Sequence, residues 1–523
     1  MSQLPKPTLF SFRKALQFIG PGILVSCAYI DPGNYSTSTA AGAQFHNIHL
    51  FIIMLSNIFA VILQCLCIKL GSVTGLDLAE NCRKHLPRWL NLSLWTLAQF
   101  AIIFTDLAEV VGTAISLYIL FGVPLKLGVF LTILDVLAIL FFYDPDGSVR
   151  QVRKFEVFVC VFVFATFVSF ALLIAKVDIP SVGEVFEGFL PSKELFQSKQ
   201  SIFLALGIIG ATVMPHSLYL GSNLVKPRLK EYDMAHGLTD HNAHLSSVTV
   251  TADIDSSDSD STTDEWTNRY KPSLSAIKYC LNYSYWELIL SLCIVAVFIN
   301  SAILIVSGAA LFGKPDAEDA DLISIYEMLC QYVSKQAGLI FAWAMLFSSI
   351  AAGVICTMAG MLVAEGGLKW KLNPFVTRLI TRTISIIPCL FMVLFLGREG
   401  IALMLNLSQV ILSLILPFAC APLIYFTSNK QIMRVPITHA EDLDDAVTEA
   451  TETVVDQEGS SVPGERTALL ERSKSSDDLG TVKYKDYSNS LAMNVAAITT
   501  WVTIGFLNIY LIVQFLRGED VHF

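Results

Sequence analysis

Apolar stretches of about 20 residues recur along this chain, and they constrain its fold more than any other feature. Hydrophobic residues make up 54% and charged residues 15% of its 523 positions, and the mean hydropathy is +0.59. Because soluble domains carry about 25% charged residues, a lipid bilayer is the expected solvent. We predict an all-α polytopic membrane protein with eleven spans. The predicted spans cover residues 19–42, 47–70, 93–120, 124–143, 156–176, 200–224, 284–312, 336–363, 377–397, 400–426 and 490–516.

Lysine and arginine cluster on one side of the predicted spans. The positive-inside rule places these clusters in the cytosol, so residues 1–18 form a cytosolic N-terminus and residues 517–523 lie outside or in a lumen. The first apolar stretch is too long for a signal peptide and lacks a clear cleavage site, so we expect it to be retained. The net charge of −10 comes mainly from two loops and does not indicate a nucleic-acid partner. The basic clusters are Lys6, Arg13 and Lys14; Arg83, Lys84 and Arg88; Arg150, Arg153 and Lys154; and Lys369 and Lys371.

Two long loops, residues 225–283 and 427–489, fall on the cytosolic side and are rich in Ser, Thr and Asp. Low hydrophobicity and dense charge cannot offset the entropy lost on ordering, so both loops are predicted to be disordered. The segment Asp253–Glu265 is either a solvated part of the first loop, or a regulatory phosphorylation cluster or cytosolic metal sensor.

The second loop carries a short pattern typical of protein sorting. Glu465, Leu469 and Leu470 match an acidic dileucine signal, which clathrin adaptors bind in the cytosol. The alternative is an idle loop segment, because so short a pattern often arises by chance.

The first span is interrupted at its centre by Asp31-Pro32-Gly33-Asn34. Proline removes a backbone donor and clashes with the preceding turn, and glycine adds freedom, so the helix is predicted to break here. A carboxylate at this depth costs about 2.5 to 3.5 kcal/mol and marks a functional site by default. A bound cation would satisfy both the Asp31 carboxylate and the freed carbonyl groups.

The sixth span is interrupted in the same way at Met214-Pro215-His216. Each proline alone is consistent with a simple kink in a packed helix. Two interrupted spans in corresponding positions instead indicate an inverted repeat of five plus five helices, with the binding site at the midplane. Residues 19–224 then hold the first repeat and span 6, residues 284–426 hold spans 7 to 10, and residues 490–516 form an eleventh helix outside the repeat.

The side chains at the two breaks select the class of ion. Asp31, Asn34 and the backbone carbonyls of Ala28 and Ala211 offer oxygen ligands, which would suit magnesium or calcium. Met214 adds a soft thioether, which favours later transition metals such as iron, manganese, cobalt or cadmium. The alternative for Met214 is a space-filling core residue.

Several motifs together resemble the NRAMP family of proton-coupled divalent metal transporters. The resemblance runs through all eleven spans and implies a LeuT-like fold with spans 1 and 6 unwound in mid-membrane. It also implies import of Mn²⁺ and Fe²⁺, with Co²⁺ and Cd²⁺ as further candidates, together with H⁺ and without a resident cofactor. The motifs are Asp31-Pro32-Gly33-Asn34, Met214-Pro215-His216, residues 73–80 (VTGLDLAE), residues 106–112 (DLAEVVG) and Ser408-Gln409-Val410.

The resemblance also implies roles for individual residues. The implied metal ligands are Asp31, Asn34, Ala211 and Met214, with the Ala28 carbonyl in one state and Gln409 as a late ligand. The implied proton route uses Asp31, His216, Asp106 and Glu109, with Arg378 as the basic counterpart.

Two positions depart from the family pattern. Gln99 stands where many members carry an acid, and Gly221 stands where a second histidine is frequent, so the chain lacks two titratable groups. Asp106 and Glu109 share a helix face and could relay a proton. The alternative is that they form structural ion pairs with Arg378 or Arg382.

Other classes of function fit less well. A transporter of the same architecture that carries amino acids would bind a carboxylate at the first break, and Asp31 would repel it. The chain has no HExxH helix, GxSxG turn or phosphate loop, so we do not expect an enzyme. The expected location is an endosomal, vacuolar or plasma membrane.

Overall fold

The computed structural model describes residues 20–132, 149–179, 181–238, 270–314, 321–368, 374–395, 397–437 and 484–516. These residues are mostly helical, which confirms the predicted all-α class. The first part of the chain contains α1 Pro21–Cys27, α2 Pro32–Phe45, α3 Leu50–Thr74, α4 Leu78–His85, α5 Arg88–Phe121, α6 Leu125–Leu131, α7 Val149–Ile174, α8 Val182–Glu187, a 3₁₀ turn Glu194–Phe196, α9 Lys199–Thr212, α10 Pro215–Leu224 and α11 Lys226–Ala235. The second part contains α12 Leu274–Ser291, a π-helical turn Leu292–Ala296, α13 Val297–Leu311, α14 Leu322–Tyr332, α15 Lys335–Leu368, α16 Pro374–Phe395, α17 Gly397–Ser428, β1 Arg434–Pro436, β2 Tyr484–Asp486 and α18 Leu491–Leu516.

Eight helical segments in the described part of the chain are long and apolar enough to cross a membrane. Three of the eleven predicted spans are not among them, each for a separate reason. Span 1 is divided into the short helices α1 and α2. Span 4 continues from α6 into residues outside the described part. Span 9 corresponds to α16, Pro374–Phe395, several side chains of which lie outside the described part.

The ends of the two loops that were predicted to be disordered, residues 225–283 and 427–489, contain helices and strands, and the disorder of the remainder stays a prediction. Helix α11 occupies the start of the first loop, and α12 begins at Leu274 rather than at residue 284. Asp233 explains the difference, because its carboxylate accepts hydrogen bonds from Tyr270 Oη at 2.6 Å and from Ser273 N at 3.1 Å.

The second loop is closed at its base by a small antiparallel sheet, in which β1 pairs with β2. Lys69 of α3 donates hydrogen bonds to the main-chain oxygen of Ser488 at 3.0 Å and to Asn489 Oδ1 at 3.2 Å, so this sheet is fixed to the helical core. The segment Asp253–Glu265 and the residues of the predicted sorting signal, Glu465, Leu469 and Leu470, lie outside the described residues.

The motif at residues 73–80 forms the connection between α3 and α4, which is held by hydrogen bonds and ion pairs. Asp77 caps α4 by accepting a hydrogen bond from Glu80 N at 2.9 Å, and Glu80 Oε2 accepts one from Asp77 N at 2.9 Å. Lys226 at the start of α11 pairs with both carboxylates, at 3.1 Å and 2.6 Å. The reciprocal capping stabilises the start of α4. Lys226 joins this connection to α11, which continues from the sixth span.

The first break lies at the centre of the helical packing. Helix α2 packs against α9, α13, α17 and α5, whereas α1 packs against α12 and α7. Helix α15 contacts both halves of span 1, and the other main partners of the two halves differ. The junction at Ile30 and Asp31 is buried.

Candidate functional site at two broken helices

The first break forms because Asp31 ends one helical direction and starts another. Asp31 has an extended backbone (φ −98°, ψ 167°), and Pro32 occupies the first position of α2. The Asp31 carboxylate caps α2 by accepting hydrogen bonds from Gly33 N at 3.1 Å and Asn34 N at 2.9 Å. The four-residue motif therefore starts a helix and holds a carboxylate in a fixed position.

The carbonyl groups freed by this break are bound by neighbouring spans. The main-chain oxygen of Tyr29 accepts hydrogen bonds from Asn34 Nδ2 at 3.1 Å and from Asn300 Nδ2 of α13 at 3.0 Å. Ser348 of α15 donates its hydroxyl to the main-chain oxygen of Ile30. Polar side chains of spans 7 and 8 thus donate the hydrogen bonds that water cannot supply inside a membrane.

The second break also consists of an extended residue followed by a proline that starts the next helix. Helix α9 ends at Thr212, and Pro215 occupies the first position of α10, with Met214 extended at its N-cap (φ −73°, ψ 133°). The freed main-chain oxygen of Met214 accepts hydrogen bonds from Ser217 N at 3.1 Å and Ser217 Oγ at 2.7 Å.

One side chain joins the two breaks. Asn34 Nδ2 donates to Asp31 Oδ1 at 2.7 Å and to the main-chain oxygen of Ala211 at 2.9 Å. Thr212 Oγ1 donates to Asn34 Oδ1 at 3.3 Å. An N–H donor therefore lies between a carboxylate and a carbonyl oxygen, and a cation in this position would be attracted by the same two oxygen atoms.

All six predicted metal ligands are buried, none with more than 2% of its surface exposed: Ala28, Asp31, Asn34, Ala211, Met214 and Gln409. Gln409 of α17 packs directly on the first break, since a Cβ at Gly33 would overlap its Nε2. In this conformation the six residues are shielded from solvent.

The predicted acidic pair lies in a second buried cluster. Carboxylate oxygens of Asp106 and Glu109 lie within 4.8 Å of each other and of the Cys356 thiol. Arg382 Nη1 forms an ion pair with Asp106, and its Nη2 donates to the main-chain oxygen of Thr132 at 3.3 Å.

Asp106 thus has a basic partner on α16. That partner is Arg382, which the sequence analysis named with Arg378 as an alternative for a structural ion pair, and the role of Arg378 stays a prediction. Arg378 lies one turn earlier on α16, and its side chain is outside the described part. His216 contacts the same helix as the acids, because its Nδ1 lies 3.4 Å from Thr105 Oγ1.

A buried polar group that the sequence analysis missed lies beside both breaks. Gln64 Nε2 of α3 donates to Tyr29 Oη, to the main-chain oxygen of Ser217 and to Ser217 Oγ, each at 3.0 Å. A Cβ at Gly221 would overlap Gln64 Oε1, so the absence of a side chain at Gly221 makes room for the glutamine. A lone glutamine within an apolar span could have indicated this group.

A model of the Nramp family, described as natural resistance-associated macrophage protein-like, matches residues 22–439. The chain is 52% identical over 512 residues to the iron transporter SMF3 of Saccharomyces cerevisiae, covering 98% of each protein. It is 46% identical to the manganese transporter SMF1 of the same yeast, covering 96% of this chain and 86% of the relative.

Solved structures agree with this relationship. A crystal structure of the Eremococcus coleocola manganese transporter is 28% identical, with a TM-score of 0.67 over 99% of this chain and 98% of that one. The nucleobase-cation-symport-1 family transporter MHP1 is 13% identical with a TM-score of 0.50 over 97% and 94% of the two chains, which shows the fold alone. These likenesses confirm the LeuT-like architecture. Because the family model covers most of the chain and relatives named as transporters match it nearly end to end, the chain belongs to the Nramp family of membrane transporters.

Proposed function

We propose that this protein imports divalent transition-metal ions, Mn²⁺ and Fe²⁺ among them, into the cytosol by proton-coupled alternating access. The observation that carries the proposal is the bridge made by Asn34 between the Asp31 carboxylate and the Ala211 carbonyl. Each break contributes one oxygen atom to this point, so a cation bound there would join the two halves of the repeat. The names of the yeast relatives support iron and manganese as cargo.

The ligand set combines hard and soft atoms. Asp31 supplies an anionic oxygen, the Ala211 carbonyl a neutral one, and Met214 a thioether. Asn34 supplies its Oδ1 once the amide rotates by half a turn and releases its contacts with the other oxygen atoms. The Ala28 carbonyl and Gln409 complete the set in different states of the transport cycle. A thioether adds affinity for transition metals and little for calcium or magnesium.

Protons use the same acid and a neighbouring route. Asp31 holds either a proton or the metal ion, so the arrival of a dication releases a proton. His216, Asp106 and Glu109 form the route, and Arg382 holds Asp106 in place, with Arg378 as a second candidate for that role. Each proton that moves down one pH unit contributes about 1.4 kcal/mol, and 100 mV contributes about 2.3 kcal/mol per charge.

The direction of transport follows from the proposed topology. With residues 1–18 in the cytosol and an acidic medium outside or in a lumen, protons drive metal into the cytosol. The membrane is an endosomal, vacuolar or plasma membrane. Binding of a clathrin adaptor at Glu465, Leu469 and Leu470 would favour an internal compartment.

Uptake into proteoliposomes tests the proposal. Mn²⁺ influx into vesicles that contain a pH-sensitive dye is expected to rise as the external pH falls and to acidify the interior. Asp31→Ala is expected to abolish uptake, and an unchanged elution volume on size exclusion would show that the variant folds. Flux without pH dependence would indicate a uniporter, and uptake of amino acids instead of Mn²⁺ would overturn the assignment of cargo.

A further inference from the structure

Helix α2 contacts α17 through side chains on two successive helical turns. At the first turn, the Gln409 amide packs on the backbone of Gly33, where a Cβ would overlap it. At the second turn, Ser36 Oγ donates a hydrogen bond to Asn406 Oδ1 at 2.6 Å. Ser36 and Asn406 therefore form a neutral polar pair one helical turn away from Gln409, which covers the first break.

The spacing shows that the two contacts belong to one interface. Gly33 and Ser36 are three residues apart, as are Asn406 and Gln409, so each pair lies on one face of its helix. The order is reversed between the helices, since the earlier residue of α2 meets the later residue of α17. The helices therefore run antiparallel here, and a shift of α17 at Asn406 also shifts Gln409.

Gln409 itself has few hydrogen bonds that would fix it. Its Nε2 donates to Ser408 Oγ at 3.1 Å on the same helix, and within the described part of the chain its buried Oε1 has no hydrogen-bond partner. The position of this amide over the break thus depends on how α17 lies against α2. Ser36 and Asn406 make a direct hydrogen bond between those helices, over 370 positions in the sequence.

We propose that Ser36 and Asn406 form a positioning pair that holds Gln409 over the metal site and keeps the site closed. The proposal rests on the proposed function, in which Gln409 is a late ligand of the transported ion. Separation of α2 from α17 at Ser36 would open the site, and it requires the Ser36–Asn406 hydrogen bond to break. Closure of the site around a bound ion forms this hydrogen bond again. The pair is neutral, so it closes the path without a charge that would compete for the ion.

Removal of the pair is expected to weaken closure rather than to destroy the site. Loss of one hydrogen bond between neutral side chains corresponds to a change of about threefold to tenfold in an equilibrium constant. Ser36→Ala and Asn406→Ala are each expected to raise the KM for Mn²⁺ uptake by that factor. Ser36→Thr retains the hydroxyl and is expected to restore the KM.

A matched control is a different hydrogen bond to helix α2. Ser307 of α13 donates to the main-chain oxygen of Thr39 at 2.6 Å, so it fixes α2 to a different neighbour with a bond of the same length. Ser307→Ala is expected to change the KM by less than about twofold, since α17 is not involved.

A second readout does not depend on metal transport. Met214→Cys places a thiol inside the closed site, and its rate of modification by a water-soluble maleimide in detergent reports how often the site opens. The parent protein corrects for the native cysteines. Ser36→Ala and Asn406→Ala are each expected to raise this rate about threefold to tenfold, and the double variant no further than either single variant.

Two results would overturn the proposal: an unchanged modification rate in both single variants, or independent effects that multiply in the double variant. A failure of the proposed function is distinguishable from these results. The wild-type protein would then show no Mn²⁺ uptake, while the modification rates would still decide whether the pair closes the site.

Discussion

Asn34 donates its side-chain amide to the main-chain oxygen of Ala211 over 2.9 Å, across 177 positions of the sequence. The contact joins the two interrupted spans at the point where each has lost its regular backbone hydrogen bonds. A single amide group therefore couples the two halves of the repeat, and a transported cation would have to displace it.

Asn34→Ala is expected to remove a ligand and the link between the breaks, so that kcat/KM for Mn²⁺ falls at least about tenfold, a loss of about 1.4 kcal/mol of transition-state stabilisation. Uptake assays and calorimetric titration with Mn²⁺ would measure it. Asn57→Ala is a suitable control, because Asn57 is also buried and, among the residues that the structure describes, donates only to the main-chain oxygen of Ile53 in its own helix, at 2.8 Å. Equal losses in both variants would indicate a general packing effect.

Met214→Ala is expected to weaken discrimination against Ca²⁺ and Mg²⁺ while Mn²⁺ uptake is retained, because the remaining ligands are oxygen atoms. Competition of Ca²⁺ with Mn²⁺ uptake is the measurement. Met361→Ala on α15 removes a similarly buried thioether away from the breaks and controls for the lost volume. Unchanged exclusion of Ca²⁺ by the Met214 variant would count against a ligand role.

Arg382→Gln is expected to destabilise the protein by about 3 to 5 kcal/mol, because it leaves the buried Asp106 carboxylate without its cation. Thermal unfolding of the purified protein measures this loss. Arg153→Gln offers a matched surface pair, since Arg153 and Glu231 are 3.2 Å apart with side chains 53% and 41% exposed. That change is expected to cost less than about 1 kcal/mol. Similar melting temperatures for the two variants would contradict the structural role of Arg382.

Gly221→Ala is expected to impair uptake, because the added Cβ would push Gln64 away from Tyr29 and Ser217. A second change, Gln64→Ala, would free the space and relieve the overlap, though not restore the lost hydrogen bonds. Gly505→Ala is the control, since a Cβ there meets no atom within 4 Å and alanine favours helices. A Gly221 variant with normal uptake would show that Gln64 can relocate at no cost.

Both breaks could be predicted from the sequence because the physical conflict is local. A proline beside an acid, or beside methionine and histidine, is unusual within an apolar span and interrupts its helix. This effect does not depend on the rest of the chain. The ligands proposed at the two breaks, apart from Gln409, were inferred from the same few residues.

Other parts of the site depend on packing and could not be predicted. Arg378 and Arg382 lie one turn apart on α16, and the contact of Arg382 with Asp106 depends on the orientation of that helix. The contact of Asn34 with Ala211 and the fit of Gln64 beside Gly221 likewise arise between distant segments. The ordered ends of the loops were missed for the same reason, because Asp233 joins residues 40 positions away.

The contact of Asp233 with Tyr270 and Ser273 has a further consequence for how this protein can change. Since the base of the first loop is fixed, the separation of α11 and α12 does not depend on how many residues lie between 238 and 270. That segment can gain or lose residues, or accept an inserted reporter domain, while the helices keep their places. Evolution and protein engineering therefore have a site for new sequence that the helical core does not constrain.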